Sequence, residues 1–286
     1  MNLSSITDVK WNEKDIQKLL YCGNTLWERK TENVKYTEYN TDRLDTDIEL
    51  KYYSAVVYND QIHLIGKNSY VTQHTIFDGT SWSYGTNFNY GPGVAAVYNG
   101  KIHNMNGYGW YSYDGSSWSS EGSVPYPCSQ AAIGVYDNEI HIMGSITSEY
   151  GKKHYKYDGS SWSEDTYWLP GQNTGGGNIV KYKGKIYYGN MEWDGTRITV
   201  LGDHLIRSSC YNDIIYNGYL YIFADDLASG TIGLFNAIFR YDGSNLEFIG
   251  RTPYSMQKAL TVLYNNKIHI IGKNDVLASS HYMLNI

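Results

Sequence analysis

One phrase, repeated six times, restricts this chain to very few folds. Around Tyr58, Tyr98, Tyr136, Tyr182, Tyr216 and Tyr264, small or β-branched residues reach a tyrosine, turn through Asn, Asp, Gly or Lys, and re-emerge as an apolar run: VVYNDQIHLIG, AAVYNGKIHNMNG, IGVYDNEIHIMG, IVKYKGKIYYGN, IIYNGYLYIFA and TVLYNNKIHIIG. Each reads as a β-hairpin, because a two-residue connection between twisted strands needs positive φ, which Asn-Gly, Asn-Asp and Asp-Asn accept at little cost. A second phrase alternates with the first: IFDGTSW, YSYDGSSW, YKYDGSSW, MEWDGTRI and FRYDGSNL. Together they make a four-stranded unit recurring at roughly 40 residues, the period of a β-propeller blade.

Within a unit, GPGVAAVY (91–98) is small at its start and β-branched later, as expected of the innermost strand, A, where blades crowd around an axis. Strands B, C and D then follow outward to the rim. The A-to-B and C-to-D turns fall on one face of the disc and the B-to-C and D-to-A loops on the other. Six A–B hairpins imply six blades, but the sixth ends at HYMLNI, its third strand. A strand from residues 21–45, within YCGNTLWERK or VKYTEYN, is expected to close the ring and remove its free edges. Seven blades, with YCGNTLWE in an extra one, is the alternative. The expected division is an N-terminal attachment segment over 1–30 and a propeller over 31–286.

Composition narrows the function classes. With 30 Tyr, 29 Gly and 5 Pro, the core is aromatic and the strands are short. The net charge of -6, without a basic stripe, argues against nucleic-acid binding. Cys22, Cys128 and Cys210 leave an odd thiol and no metal-ligand spacing, implying assembly in a reducing compartment without disulfides. The opening MNLSSITDVKWNEKDIQKLL carries Asp8, Lys10, Glu13, Lys14 and Asp15, so neither a Sec signal nor membrane insertion is expected.

Several recurring residues have structural readings. Trp82, Trp118 and Trp162 share one repeat position and are expected to pack between adjacent blades. His63, His103, His141 and His269 share another, which Tyr187 and Tyr221 occupy in the remaining units; equivalent strand-B positions on separate blades do not converge, so no metal site is expected. GQNTGGG (171–177) lacks the Lys-Ser/Thr ending and following helix of a phosphate cradle and reads as a D-to-A loop. Glu149, Asp165, Glu192, Asp203, Asp225 and Asp226 lie in or near the loop face, with no two paired by the sequence as glycoside hydrolysis requires. Of the arginines, Arg207 and Arg251 are expected near that face, and Arg197 and Arg240 in C–D regions.

The small strand, the apolar strand ending in Gly, and the Tyr, turn and Trp that follow resemble the kelch repeat from residue 54 onward. The resemblance implies a kelch-type, six-bladed all-β propeller of four-stranded antiparallel blades. Gly66, Gly107, Gly144 and Gly272 stand where that repeat has a double glycine, and Ala224 where it has lost both. The DG-S-S-W turns also resemble the Asp-box of sialidases, without the residue which that motif places between Asp and Gly. VKWNEKDIQKLLYCGNTLWERK is similar to segments of bacteriophage tail and baseplate proteins, which implies attachment of the N-terminus to a phage or phage-tail-like particle.

Function is then expected on the unequal loops of a rigid scaffold. The candidate ligand-binding residues are Tyr84, Tyr90, Tyr108, Trp110, Tyr126, Tyr150, Trp168, Asp225, Asp226 and Tyr254, where rings can stack on pyranose faces and polar groups meet hydroxyls. The expected function is non-catalytic: a receptor-binding tip, several copies per particle, recognising a bacterial surface glycan or protein, assembled in the bacterial cytoplasm and carried on the virion without a cofactor. The rival readings are a carbohydrate-active enzyme, sialidase-like or sugar-epimerising, and a cytosolic protein-interaction scaffold.

Overall fold

In the computed structural model of the chain, each Tyr-turn phrase forms the hairpin its residues predict. All twelve turn residues have positive φ, from 46° at Asn99 to 80° at Gly184. Lys183, at 48°, is the one without a short polar or absent side chain to ease that geometry. The Asp-Gly phrase closes a longer loop. Four residues, Asp114 to Ser117, separate the strands in one repeat, with Gly115 at φ 102°. Asp114 Oδ1 accepts the amides of Ser116 and Ser117 at 2.8 and 2.9 Å and the Ser116 hydroxyl at 2.8 Å. The Ser117 amide foremost, then that of Ser116, lowers the Asp114 pKa to about 2. Asp78, Asp158, Asp194 and Asp242 repeat this turn.

The residues described are 9–11, 14–16, 18–21, 24–28, 35–39, 51–67, 72–86, 91–128, 131–144, 153–165, 177–188, 191–201, 213–225, 235–274 and 279–286. The chain divides into units Met1–Asn33 and Val34–Ile286. The first holds two hairpins, β1 (Val9–Trp11) with β2 (Lys14–Ile16), and β3 (Lys18–Tyr21) with β4 (Asn24–Glu28). The second begins with β5 (Lys35–Glu38) and continues as six antiparallel blades. Blade 1 is β6 (Lys51–Tyr58), β7 (Gln61–Lys67), β8 (Thr72–Phe77) and β9 (Trp82–Tyr84). Blade 2 is β10 (Val94–Tyr98), β11 (Lys101–Asn106), β12 (Gly109–Tyr113) and β13 (Trp118–Ser123). Blade 3 is β14 (Ala132–Tyr136), β15 (Glu139–Met143), β16 (His154–Tyr157) and β17 (Trp162–Asp165). Blade 4 is β18 (Val180–Tyr182), β19 (Lys185–Tyr188), β20 (Met191–Trp193) and β21 (Ile198–Val200).

Blades 5 and 6 share a strand. β22 (Ile214–Tyr216), β23 (Tyr219–Asp225) and β24 (Phe235–Tyr241) are followed by β25 (Leu246–Tyr264), whose first part pairs with β24 and whose last part pairs with β26 (Lys267–Asn274). Outside β26 lies β27 (Ser279–Asn285), and β5 completes blade 6, with Leu284 opposite Tyr36 and Met283 opposite Thr37. The closing strand is therefore the one within VKYTEYN, and there are six blades, not seven. YCGNTLWE instead contributes to the β3–β4 hairpin. Among the described residues there is no helix, and none long and apolar enough to cross a membrane.

The core lies between blades. Trp82 stands 5.3 Å from His281 of blade 6, Trp118 5.6 Å from His74 of blade 1, and Trp162 5.5 Å from Trp110 of blade 2, each edge-on to its neighbour. These are the inter-blade contacts the repeated tryptophan position predicts.

Candidate functional site

The strand-B histidines belong to this packing, by a specific arrangement. His63 Nε2 lies 3.1 Å from the Tyr58 carbonyl, which can only accept, so Nε2 carries the proton and Nδ1 is an acceptor. His74 Nε2 meets that Nδ1 at 2.8 Å and is the donor. In blade 2, His103 Nε2 donates to the Tyr98 carbonyl at 3.2 Å, and the Trp110 indole N–H donates to His103 Nδ1 at 2.9 Å. His141–His154 and His269–His281 repeat the pair at 3.0 and 2.8 Å. Burial holds His63, His74, His141 and His269 neutral, with pKa values near 4 for His63, His141 and His269 and near 3 for His74. Among the described residues no group of three potential ligands could hold a metal ion.

Blade 4 replaces the pair with Tyr187 and Glu192. Tyr187 donates to Glu192 Oε2 at 2.7 Å, Tyr241 of blade 5 donates to the same oxygen at 3.1 Å, and Lys185 Nζ reaches Oε1 at 2.5 Å. A tyrosine beside a carboxylate is a possible glycosidase nucleophile. Here both side chains are buried between blades, and desolvation with the adjacent carboxylate raises the Tyr187 pKa, so the phenol remains a proton donor. Glu192, expected near the loop face, therefore belongs to the scaffold.

The other expected site residues divide sharply. Tyr108 stands 54% exposed at the tip of the B-to-C turn of blade 2. That turn is anchored on both sides, since the Val124 amide donates to the Tyr108 carbonyl at 3.0 Å and the Cys128 amide to the Gly107 carbonyl at 2.9 Å. Tyr84, 55% exposed, ends the outermost strand of blade 1. Two residues later the Thr86 hydroxyl donates to the Ser116 carbonyl in a C–D turn, so this stretch follows the rim.

Trp110 and Tyr126 offer no ring to a ligand, contrary to expectation. Trp110 lies within β12, beneath Tyr157 and Trp162 of blade 3, with its N–H committed to His103. Tyr126, 1% exposed, packs at 5.3 Å on Tyr155 of blade 3. Sequence position placed both among the B-to-C and D-to-A loops of unequal length. The signal that could have corrected Trp110 is its distance from the Asp-Gly turn, since it precedes Asp114 by the same four residues that separate the strand-C histidines His74 and His154 from Asp78 and Asp158.

Asp225 ends β23 and Tyr254 lies within β25, where the backbone alone is described. Tyr90, Tyr150, Trp168 and Asp226 lie outside the described residues, as do Glu149, Asp203 and Arg207. Asp165 ends β17, with Oδ2 3.8 Å from His154 Nδ1. The described arginines do not converge. Arg197 closes a C–D turn, Arg240 Nη2 pairs with Glu247 at 2.7 Å, and Arg251 lies over the Phe248 ring. Cys128 is a free, buried thiol whose pKa burial pushes up to about 12.

The architecture defines a six-bladed β-propeller with one regular turn face and one irregular loop face. No family model matches the sequence, and no curated protein matches it. Solved structures do share the fold. The structure of YjhT superposes with a TM-score of 0.59 at 13% identity, covering 82% of this chain and 94% of that one. Trypanosoma rangeli sialidase superposes at 0.54 and 9% identity, over 83% of this chain and 54% of that one. The same sialidase in complex with the inhibitor DANA gives 0.56 at 10% identity, over 84% and 55%. This chain thus spans about half the sialidase's length. At such identities the likeness concerns the fold alone.

Proposed function

We propose that this propeller is a non-catalytic recognition module that binds a carbohydrate on its loop face. The observation that carries this reading is Tyr108, an aromatic ring held in solvent on a short turn whose carbonyls are fixed by two backbone amides. A rigid exposed ring loses little entropy when a pyranose stacks on it. The opposite face supports the choice by contrast, since each aspartate of its C-to-D turns is bound by amides of its own turn. The propeller fold shared with a sialidase adds support at the level of architecture. In the fuller form of the proposal, the module is the receptor-binding tip of a phage or phage-tail-like particle, residues 1–30 attach it, and several copies raise avidity for a bacterial surface glycan or protein.

The test is binding of the purified chain to a glycan array and to bacterial cell-wall preparations. Retention on a defined glycan, lost in Tyr108→Ala, is the expected result. No binding to any glycan or cell-wall preparation overturns the reading. The enzyme alternative has the fold likeness in its favour and is separated by turnover: release of free sugar from a sialylated or other glycoside substrate by the unsubstituted chain would replace binding with catalysis.

A further inference from the structure

We propose that the turn face carries a second docking surface, a collar around the propeller axis that receives a protein partner presenting an apolar side chain flanked by lysines or arginines. The collar is formed by the residue before each strand-A tyrosine: Val57, Val97, Val135, Lys181, Ile215 and Leu263. The six A strands neighbour one another in a closed ring, so these positions encircle the axis. In blades 2, 3, 5 and 6 the strand-A residues behind the collar are buried. Val135, Ile215 and Leu263 are 41%, 39% and 36% exposed, three of the seven exposed large apolar residues among those described. Val57 and Val97 are half-buried. Packing does not demand this choice, because blade 4 keeps the exposed Lys181 at the same position. Apolar side chains held open to water at positions where a charge is tolerated mark a contact surface.

The charge around the collar sets the partner. The turns of this face carry seven aspartates, Asp60 and Asp137 between strands A and B and the five of the Asp-Gly turns, against two cations, Lys183 and Arg197, both in blade 4. Lys181 Nζ is paired with Asp137 Oδ2 at 2.5 Å, and Lys101 and Lys185, which begin strands B, pair with Glu121 and Glu192. The Asp-Gly turns abut the collar from outside. A Cβ at Gly79 would lie 2.9 Å from the Tyr264 hydroxyl and one at Gly159 3.0 Å from that of Tyr98, the tyrosines that follow Leu263 and Val97. Amides of their own turns hold these carboxylates ionised. An apolar collar inside an acidic rim attracts a basic segment and repels a second copy of itself. Residues 1–33, with five basic and five acidic side chains, are not the complement of such a rim. The collar lies on the face opposite Tyr108, so a partner seated on it leaves the loop face free.

Binding of the full chain to immobilised peptides tests the proposal. Each probe has one Leu, Ile or Phe flanked on both sides by pairs of Lys or Arg, and the controls carry Ser at the centre or Glu in the flanks. The expected result is retention of the basic apolar peptides, with both kinds of control bound about tenfold more weakly or worse. Ile215→Ser combined with Leu263→Ser should weaken binding about tenfold, whereas Val200→Ser, which removes a 50% exposed apolar residue from the rim strand of blade 4, should change it less than about twofold. No retention of any peptide, retention indifferent to the central residue, or an equal loss from Val200→Ser overturns the proposal. So does a dimer in sedimentation velocity that the double variant dissociates, which would make a second copy the occupant. If the double variant fails to fold, Val135→Ser and the Ser-centred peptide against the natural sequence are read by the same criteria.

Discussion

Tyr98 donates its hydroxyl to the carbonyl of Asn138, 3.1 Å away in the next blade, so the tyrosine that ends one strand A fastens the turn that ends the following one. Tyr182 makes the same link to the Gly218 carbonyl of blade 5. Tyr136 occupies the same sequence position, yet among the described residues its hydroxyl has no hydrogen-bond partner, and its ring is folded onto His141. Tyr98→Phe should therefore cost about 1 kcal/mol of stability, the worth of one hydrogen bond, while Tyr136→Phe should stay within about 0.5 kcal/mol of the parent. Urea denaturation midpoints of the two variants provide the comparison.

Gly134 should tolerate no side chain. A Cβ there would lie 2.2 Å from the Ile179 carbonyl oxygen, a main-chain atom held by the bridge between blades 3 and 4. Gly134→Ala must push the two inner strands apart and is expected to destabilise the fold by about 2–3 kcal/mol. Equilibrium denaturation measures the loss.

Much of this fold was legible because its devices are local. Asn99-Gly100 dictates its turn through two φ angles, and Trp118 betrays its inward role by recurring with the repeat. The closing strand was legible only as a choice, since Asn285 meets Thr37 across nearly the whole chain and no local pattern encodes so distant a partner. The difference between Tyr98 and Tyr136 was not legible at all. It lies in what each ring meets, Asn138 of the next blade for Tyr98 and His141 of its own blade for Tyr136, which only the assembled ring decides. Trp110 was misread for a related reason: the four-residue stretch 106–109 already completes the turn, which leaves position 110 inside a strand.

Acid should weaken the ring through its buried histidines. His63, His141 and His269 have folded pKa values near 4 and His74 near 3, all lowered from 6.5 foremost by burial. The unfolded chain therefore binds more protons than the folded one below pH 6.5. The stabilisation is complete above that pH, declines as pH falls through 6.5, and is lost as pH passes through 4 and 3. Protonating His63 would also set two N–H donors against each other at the 2.8 Å contact with His74. Denaturation midpoints should be flat from pH 7 to 8 and fall steadily from pH 6 to 4. The Asp114-type turns do not account for such a fall, because Asp78, Asp114, Asp158 and Asp194 stay ionised down to about pH 2.

Tyr108 and Tyr84 separate recognition from surface chemistry. Both rings are more than half exposed, at 54% and 55%, so removing either should change stability by no more than about 0.5 kcal/mol. They differ in position: Tyr108 crowns a B-to-C turn, whereas Tyr84 ends a rim strand that continues toward a C–D turn. If the loop face stacks on a sugar, Tyr108→Ala should weaken glycan binding about tenfold or more, the loss of one ring contact, and Tyr84→Ala should leave it within about twofold. Titration of both variants against the same immobilised glycan, with thermal unfolding as the control for folding, gives the answer. Equal effects from the two substitutions would place recognition elsewhere than on the turn that carries Tyr108.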